Sequence, residues 1–494
     1  MMRITVLMSA LALCATMASA QIATTSAKSY AKPPKRTKRY VITDFGAVAD
    51  NKTVNTKAIQ AAIDKCASTK KGGVVVVPAG TFRSGAIFLK QGVDLLVEKD
   101  GVLKGTTNLD DYPAIQSRWE GTEEMYTASL VNADGVNGLT ISGEGTIDGS
   151  GDEFMANSPM RRPPPAPGAA AAPRAAGAPG AAAAAAAAPL ATPPLAPAAA
   201  PAAPPMAAQA RPGPGPAAGL GAAPSGAPRQ MRGRPRLIGI QSSKEVLVSG
   251  LNLHNQAIWC LFVLYSQDVE IDGVKITAAH NIPSSDGMDI DSSKHVHITN
   301  AFIDDDDDCI SIKAGKDADG LRVNRPSEDI LIENSHFAYG QGGVAMGSET
   351  SGGIRNVTVQ NCLMDSDNWT PIRFKSQPSR GGVVENITYK NIVLHGTREA
   401  FDMNMEWRMV GPRQPDSNPL PVVRNVKIIN VTGDVQNVGS IHGLAGSPIQ
   451  GVTFQNCNIT ANRGFRLDHA RGVDLTGLKI DVKQGDPVTT TDVQ

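Results

Sequence analysis

The chain has 494 residues, 47 basic against 47 acidic, and aromatic side chains make up only 4% of it. The balance is uneven: no Asp or Glu lies between Glu153 and Glu245, where Arg161, Arg162, Arg174, Arg211, Arg229, Arg232, Arg234 and Arg236 all fall. The rest of the chain is therefore acidic, which argues against a nucleic-acid surface, and no paired CxxC set of the kind structural zinc requires is present.

Met1-Met2-Arg3, the largely apolar run Ile4 to Met17 and the small residues Ala18-Ser19-Ala20 together predict a signal peptide over residues 1–20, cleaved before Gln21. Its apolar part is too short to span a bilayer, and no other stretch is long enough, so no transmembrane segment is expected. The expected location is secreted or periplasmic. Residues 21–38, rich in Lys, Pro and Ser, read as a disordered basic tail. Ile59, Ala62, Ile63 and Cys66 stand at helical spacing and predict one helix over Thr56 to Cys66, capping the open end of whatever follows. Residues from about 158 to 232 are almost entirely Ala, Pro and Gly with a few Arg, a composition that cannot bury a core. Similar sequence continues on both sides, so 39–494 reads as a single domain carrying this stretch as a disordered insertion. Once Cys14 has left with the signal, Cys66, Cys260, Cys309, Cys362 and Cys457 remain, read as buried thiols with room for one disulfide.

The remainder repeats. Short alternating segments (Val246-Leu-Val, Val269-Glu-Ile, Val296-His-Ile, Ile330-Leu-Ile, Val357-Thr-Val, Ile387-Thr-Tyr, Val426-Lys-Ile, Val452-Thr-Phe, Val473-Asp-Leu) recur at intervals of about 21 to 39 residues, separated by Gly, Asn and Asp. Alternation means strands, and a long repeat of strands means a solenoid; the fold expected is all-β, a right-handed parallel β-helix. Asn334, Asn361, Asn391, Asn430 and Asn456 fall at similar phases and are expected to stack as turn ladders.

Two short stretches carry the chemistry. Ser284-Ser285-Asp286-Gly287 is followed about one repeat later by the run Asp304 to Asp308 and Cys309, six carboxylates in all. Like charges at close range repel and push their pKa values apart, and carboxylates with separated pKa values are what acid–base cleavage of a glycosidic bond requires. Asp286 and Asp307 are 21 positions apart, close to one coil, so they can lie on adjacent rungs about 4.8 Å apart. Adjacent residues on a strand face opposite ways, so Asp307 and Asp308 can share a groove only across a local bend. An aspartate run also suits a solvated turn or a calcium loop, and Arg373 and Lys375 alternate like any exposed strand face.

With these motifs the chain resembles family 28 of the glycoside hydrolases, the polygalacturonase family. Asp44-Phe45-Gly46-Ala47 looks like the family's opening, Gly143-Glu-Gly-Thr-Ile-Asp-Gly149 like its early coil signature, and Arg234-Pro-Arg-Leu237 like its resumption after the insertion. The family's Asn-Thr-Asp appears as Ser284-Ser285-Asp286, its Asp-Asp as Asp307-Asp308, its Gly-His-Gly as Gly340-Gln341-Gly342 leading into Gly347-Ser348-Glu349, and its Arg-x-Lys as Arg373-Phe374-Lys375. The resemblance implies an inverting glycosidase acting on α-linked galacturonate-containing pectic polysaccharide or oligosaccharide. Asp307 would be the general acid, Asp286 and Asp308 would activate water, and a separation of about 6.5–9.5 Å would admit that water. Arg373 and Lys375 would meet the uronate carboxylate; Trp407 would stack on sugar near the leaving-group side, or pack in the core; Gln341 would line the substrate site. No cofactor and no metal is called for, and a monomer is expected. Gln341 cannot titrate as the family's histidine does, which leaves open a rhamnogalacturonan hydrolase, a calcium-dependent pectate lyase, or a catalytically weakened β-helix that binds polysaccharide. Trp119, Trp259, His295 and His297 read as structural.

Overall fold

Strands that alternate Val and Ile with polar residues bury one side of themselves, and in the computed structural model of the protein that side lines the inside of a coil. The structure describes residues 30–156, 233–408 and 413–494, without the side chains of 366–368. The signal peptide expected over 1–20 and the insertion expected over 158–232 lie outside the described residues. What is described winds as a right-handed parallel β-helix, the coil strands pairing in parallel with the rungs that flank them.

Register explains the core. Val263, Ile290, Ile312, Met346, Phe374, Met403, Ile441 and Leu467 occupy equivalent positions on eight successive rungs. All are at most 2% exposed. Val248, Ile271, Ile298, Ile332, Val359, Tyr389, Ile428 and Phe454 form a second such column. At about 1.5–3 kcal/mol for each large apolar side chain removed from water, these stacks supply the main drive to coil. The five remaining cysteines join this interior as buried free thiols.

Turns between the faces use left-handed residues, and Asn tolerates them best after Gly. Asn334, Asn361, Asn391, Asn430 and Asn456 all have φ between 51° and 55°. Each of the last four donates its Nδ2 to the Oδ1 of the one before, at 3.4, 2.9, 2.8 and 2.9 Å. The expected ladder is present. Asn391→Ala should lower stability by about 1–2 kcal/mol, through two lost ladder bonds and a strained φ. Asn391→Gly, which relieves only the strain, should recover part of that loss in thermal unfolding.

The expected helix spans Thr56–Ala67 and buries Ile59, Ala62, Ile63 and Cys66 over the first coil. Residues 30–38, which composition assigned to a disordered tail, lie instead against the coil. Arg36 Nη1 donates to Asp94 Oδ1 at 2.6 Å and to Gly138 O at 2.8 Å, and the Tyr30 ring lies tilted against those of His295 and His297, centroids 4.3 and 4.9 Å away. The basic tail thus finds acidic and aromatic partners that only the coiled chain brings together. Among the described residues one strand pair lies outside the coil's sheet: Ala114–Trp119 and Thr122–Thr127 pair as an antiparallel hairpin.

Candidate active site

Strands Met288–Asp291 and Asp308–Lys313 and the segments ending at Gly347 and Lys375 stack in register, so their outward residues form one face. Asp286 sits in the turn before the first of these, two residues after Ser284 with its φ of 58°. Asp306 and Asp307 occupy a bend between Phe302–Asp304 and the strand that begins at Asp308. That bend is what adjacent residues need to share a groove. Asp286, Asp307 and Asp308 each present an oxygen such that all three lie within 4.8 Å of one another.

Packed so closely, the three cannot titrate alike. Burial alone would raise Asp308, but Lys375 and then Arg373 outweigh it and hold its carboxyl well below the usual carboxylate range. Arg373 Nη1 lies 3.3 Å from Asp308 Oδ1, while Lys375 Nζ and Ser311 Oγ, the latter at 2.9 Å, both donate to Oδ2. Asp307 is pushed up by burial and then by the Asp308 charge. Burial raises Asp286 further, with Asp289 and Asp307 adding to it. The cluster therefore holds one fixed anion beside two carboxyls inclined to keep a proton, a distribution suited to acid–base work. Three clustered carboxylates are also the donor set a hard cation would choose, but here Asp308 is already engaged by two cationic side chains.

Arg373 and Lys375 are 7% exposed, held on the face by Asp308 and by the half-buried Trp407, whose ring lies 4.6 Å from the Arg373 guanidinium carbon and 5.6 Å from Lys375 Nζ. Trp407 is thus a rim residue beside the cations and no part of the core. Gln341 is close by but works downward: its Nε2 donates to Asp306 O at 2.9 Å and its backbone N to Asp307 O at 2.7 Å, while its own carbonyl accepts from Arg373 at 3.1 Å. It fixes the bend that carries the acids. The structure thus brings Asp286, Asp307, Asp308, Gln341, Arg373, Lys375 and Trp407 to one place. His297 is buried on a different strand against Glu333 at 3.1 Å.

Sequence reasoning missed a second charged layer. Lys313 Nζ lies 3.0 Å from Glu349 Oε2 and 3.5 Å from Asp289 Oδ1, all three nearly sealed from solvent. Burial would lower Lys313, but Glu349 and Asp289 raise it well above its ordinary value. Burial likewise opposes the ionisation of Glu349, yet Lys313 and Arg380 hold it down to about 2. Asp289, where burial outweighs Lys313 and Arg236, is pushed up to about 7. The alternations Asp289–Asp291 and Ser311–Lys313 were visible signals, since polar residues at every outward position of a strand mark a lined groove.

Comparison with known proteins extends the geometry. The family model described as glycosyl hydrolases family 28 matches residues 221–476, and one described as rhamnogalacturonase A/epimerase, pectate lyase-like, matches residues 39–151. The chain is 24% identical over 429 residues to a probable polygalacturonase of Vitis vinifera, covering 85% of this chain and 73% of that one. It is 27% identical over 361 residues to an exo-poly-alpha-D-galacturonosidase of Dickeya chrysanthemi, covering 72% of this chain and 54% of the relative. Among solved structures it is similar to a hyperthermoactive exopolygalacturonase of Thermotoga maritima (TM-score 0.66, 22% identity, 91% and 94% of the two chains). It is also similar to a family 28 exopolygalacturonase of Yersinia enterocolitica (TM-score 0.70, 20% identity, 93% and 78%). At such identities the structural likeness speaks for the fold.

Proposed function

Since the chain belongs to family 28 of the glycosyl hydrolases, we propose that it hydrolyses α-linked galacturonate in pectic polysaccharide or oligosaccharide. It is a pectin-degrading glycosidase, and the finer reading rests on one observation: three carboxylates within 4.8 Å of one another beside Arg373 and Lys375. The two cations would take the uronate carboxylate, Arg as a planar fork and Lys as a point charge. Asp307, inclined to hold a proton, would give it to the glycosidic oxygen as the bond to the anomeric carbon breaks. Water would attack that carbon, activated by Asp286 and Asp308 together, with its proton passing to that pair of carboxylates.

Stereochemistry follows from which group is free to attack. The roughly 6.5–9.5 Å usual for inversion is counted between whole carboxyl groups, and the 4.8 Å of this cluster between single oxygens. A retaining enzyme needs a carboxylate free to bond to carbon, and the only strongly ionised member, Asp308, has both oxygens bonded to Arg373, Lys375 and Ser311. That supports water as the nucleophile and inversion at carbon. Proton NMR of the first product should show the β-anomer before mutarotation; the α-anomer appearing first would overturn this step.

Gln341 supports a second reading, a rhamnogalacturonan hydrolase. On a panel of pectic oligosaccharides the expected outcome is cleavage of homogalacturonan, and preference for alternating rhamnose-containing chains would favour the second. The apolar run Ile4 to Met17 ahead of Ala18-Ser19-Ala20 supports a signal peptide and export; the same proposal takes residues 39–494 as one domain interrupted at about 158–232, acting as a monomer. Among the described residues no helix is long and apolar enough to cross a membrane.

A further inference from the structure

We propose that the Ala114–Thr127 hairpin walls off the groove on its N-terminal side, so that the enzyme cuts from a chain end and releases a product of one or two sugar residues. The inference rests on the hydrolase reading above and concerns only where along the chain it acts.

The outward face that carries the carboxylates can be followed rung by rung. Phe262, Asp289, Ser311, Ala345, Arg373, Asp402, Ser440 and Arg466 are register partners, and Leu264, Asp291, Lys313, Gly347, Lys375, Asn404, His442 and Asp468 form the adjoining column. On the C-terminal side these positions reach solvent: Asp402, Asn404, His442 and Asp468 are half-buried and Arg466 is exposed. On the N-terminal side the face disappears under the hairpin. Arg118, 0% exposed, donates Nη1 to Asp291 Oδ1 at 2.7 Å and to Ser292 Oγ at 2.8 Å. Trp119 lies 4.7 Å from Trp259, and with Ile258, Phe262 and Leu264 they form an apolar cluster separate from the coil interior. Arg236 is inserted among the Tyr126, Trp259 and Phe262 rings at 4.6, 4.8 and 4.0 Å.

The tip is held as firmly. Gly121 O accepts from Lys316 N at 3.0 Å, and a Cβ at Gly121 would stand 2.7 Å from Glu349 Cγ, a contact only glycine permits. Glu123 Oε1 accepts from Tyr265 and Oε2 from Arg322, both at 2.6 Å. The hairpin therefore touches Glu349 and Asp291, while Lys313, the partner of Glu349, lies 5.0 Å from the Trp259 ring and acts electrostatically on Asp286 and Asp308. One rung is about 4.8 Å high, comparable to one sugar ring, so only one or two sugars fit between the carboxylates and this wall. A polymer could not continue past it.

The test uses the full chain and homogalacturonan oligomers of defined length labelled at one end. Below a tenth of full conversion, a single short product, monomer or dimer, is expected, together with a drop of a hundredfold or more in rate when the terminus that enters the closed side carries a bulky group. A ladder of intermediate lengths would overturn the inference while leaving the hydrolase reading intact, and no cleavage at all would overturn both. Trp119→Ala and, separately, Glu123→Gln lie outside the coil interior. In at least one of them, longer products should rise at least fivefold relative to the monomer and dimer. An unchanged product pattern in folded samples of both would remove the hairpin as the barrier.

Discussion

Asp307→Asn is expected to lower kcat by about 10²–10⁴-fold, the usual contribution of a positioned general acid, while KM and thermal stability stay close to those of the parent. Asparagine keeps the shape and can still accept the backbone N–H of Asp308, which reaches Asp307 Oδ1 at 3.0 Å. It cannot deliver a proton to a leaving oxygen. The substrate carboxylate would still meet Arg373 and Lys375, whose positions depend on Asp308, Gln341 and Trp407 and not on Asp307. The split between kcat and KM is therefore the informative readout. Reducing-sugar release at the parental rate would remove Asp307 from the mechanism, and a raised KM with an unchanged kcat would make it a binding group.

Most of the coil was readable because its rule is local. Val and Ile at alternate positions face inward wherever they occur, and asparagine in a left-handed turn carries its own reason. The acidic motifs were readable for the opposite cause: Asp286 and Asp304 to Asp308 gather six carboxylates about one repeat apart, and the motifs that follow them in order outweigh the solvated turn that an aspartate run alone would suit. What escaped notice depends on contacts between distant residues. Arg118 meets Asp291 across 173 positions, and the hairpin that carries it has a Glu120-Gly121 turn without the usual Asn-Gly or Asp-Gly signature. Lys313 and Glu349 pair across 36 positions only because successive strands register as they do. Gln341 looked like a weakened catalytic position from its neighbours in sequence, yet its amide serves a backbone carbonyl, which no side-chain pattern reveals.

Asp305→Asn should stabilise the protein in alkali and leave it nearly unchanged in acid. Asp305 is fully buried beneath the bend, and among the described residues neither of its carboxylate oxygens has a hydrogen-bond partner. The glycines at 287 and 340 leave it room, since a Cβ on either would stand 2.9 or 3.1 Å from those oxygens. Burial, with Asp307 and Asp308 adding their charges, raises its carboxyl well above the ordinary value. The folded chain thus keeps a proton that the unfolded chain gives up near its usual pKa of about 3.9. Stability from this group is complete below that pH and declines as pH rises toward the folded value. Asp308, held low by its cations, has the opposite sign and loses its contribution in acid. An amide at 305 cannot ionise, so the difference between variant and parent should grow with pH, by about 1.4 kcal/mol for each pH unit between the unfolded pKa and the raised folded one. Unfolding midpoints measured from about pH 4 to about pH 9 would show the two curves diverging upward. Parallel curves would mean that Asp305 does not titrate in this range, and the proton budget beneath the bend would then rest on Asp286 and Asp307 alone.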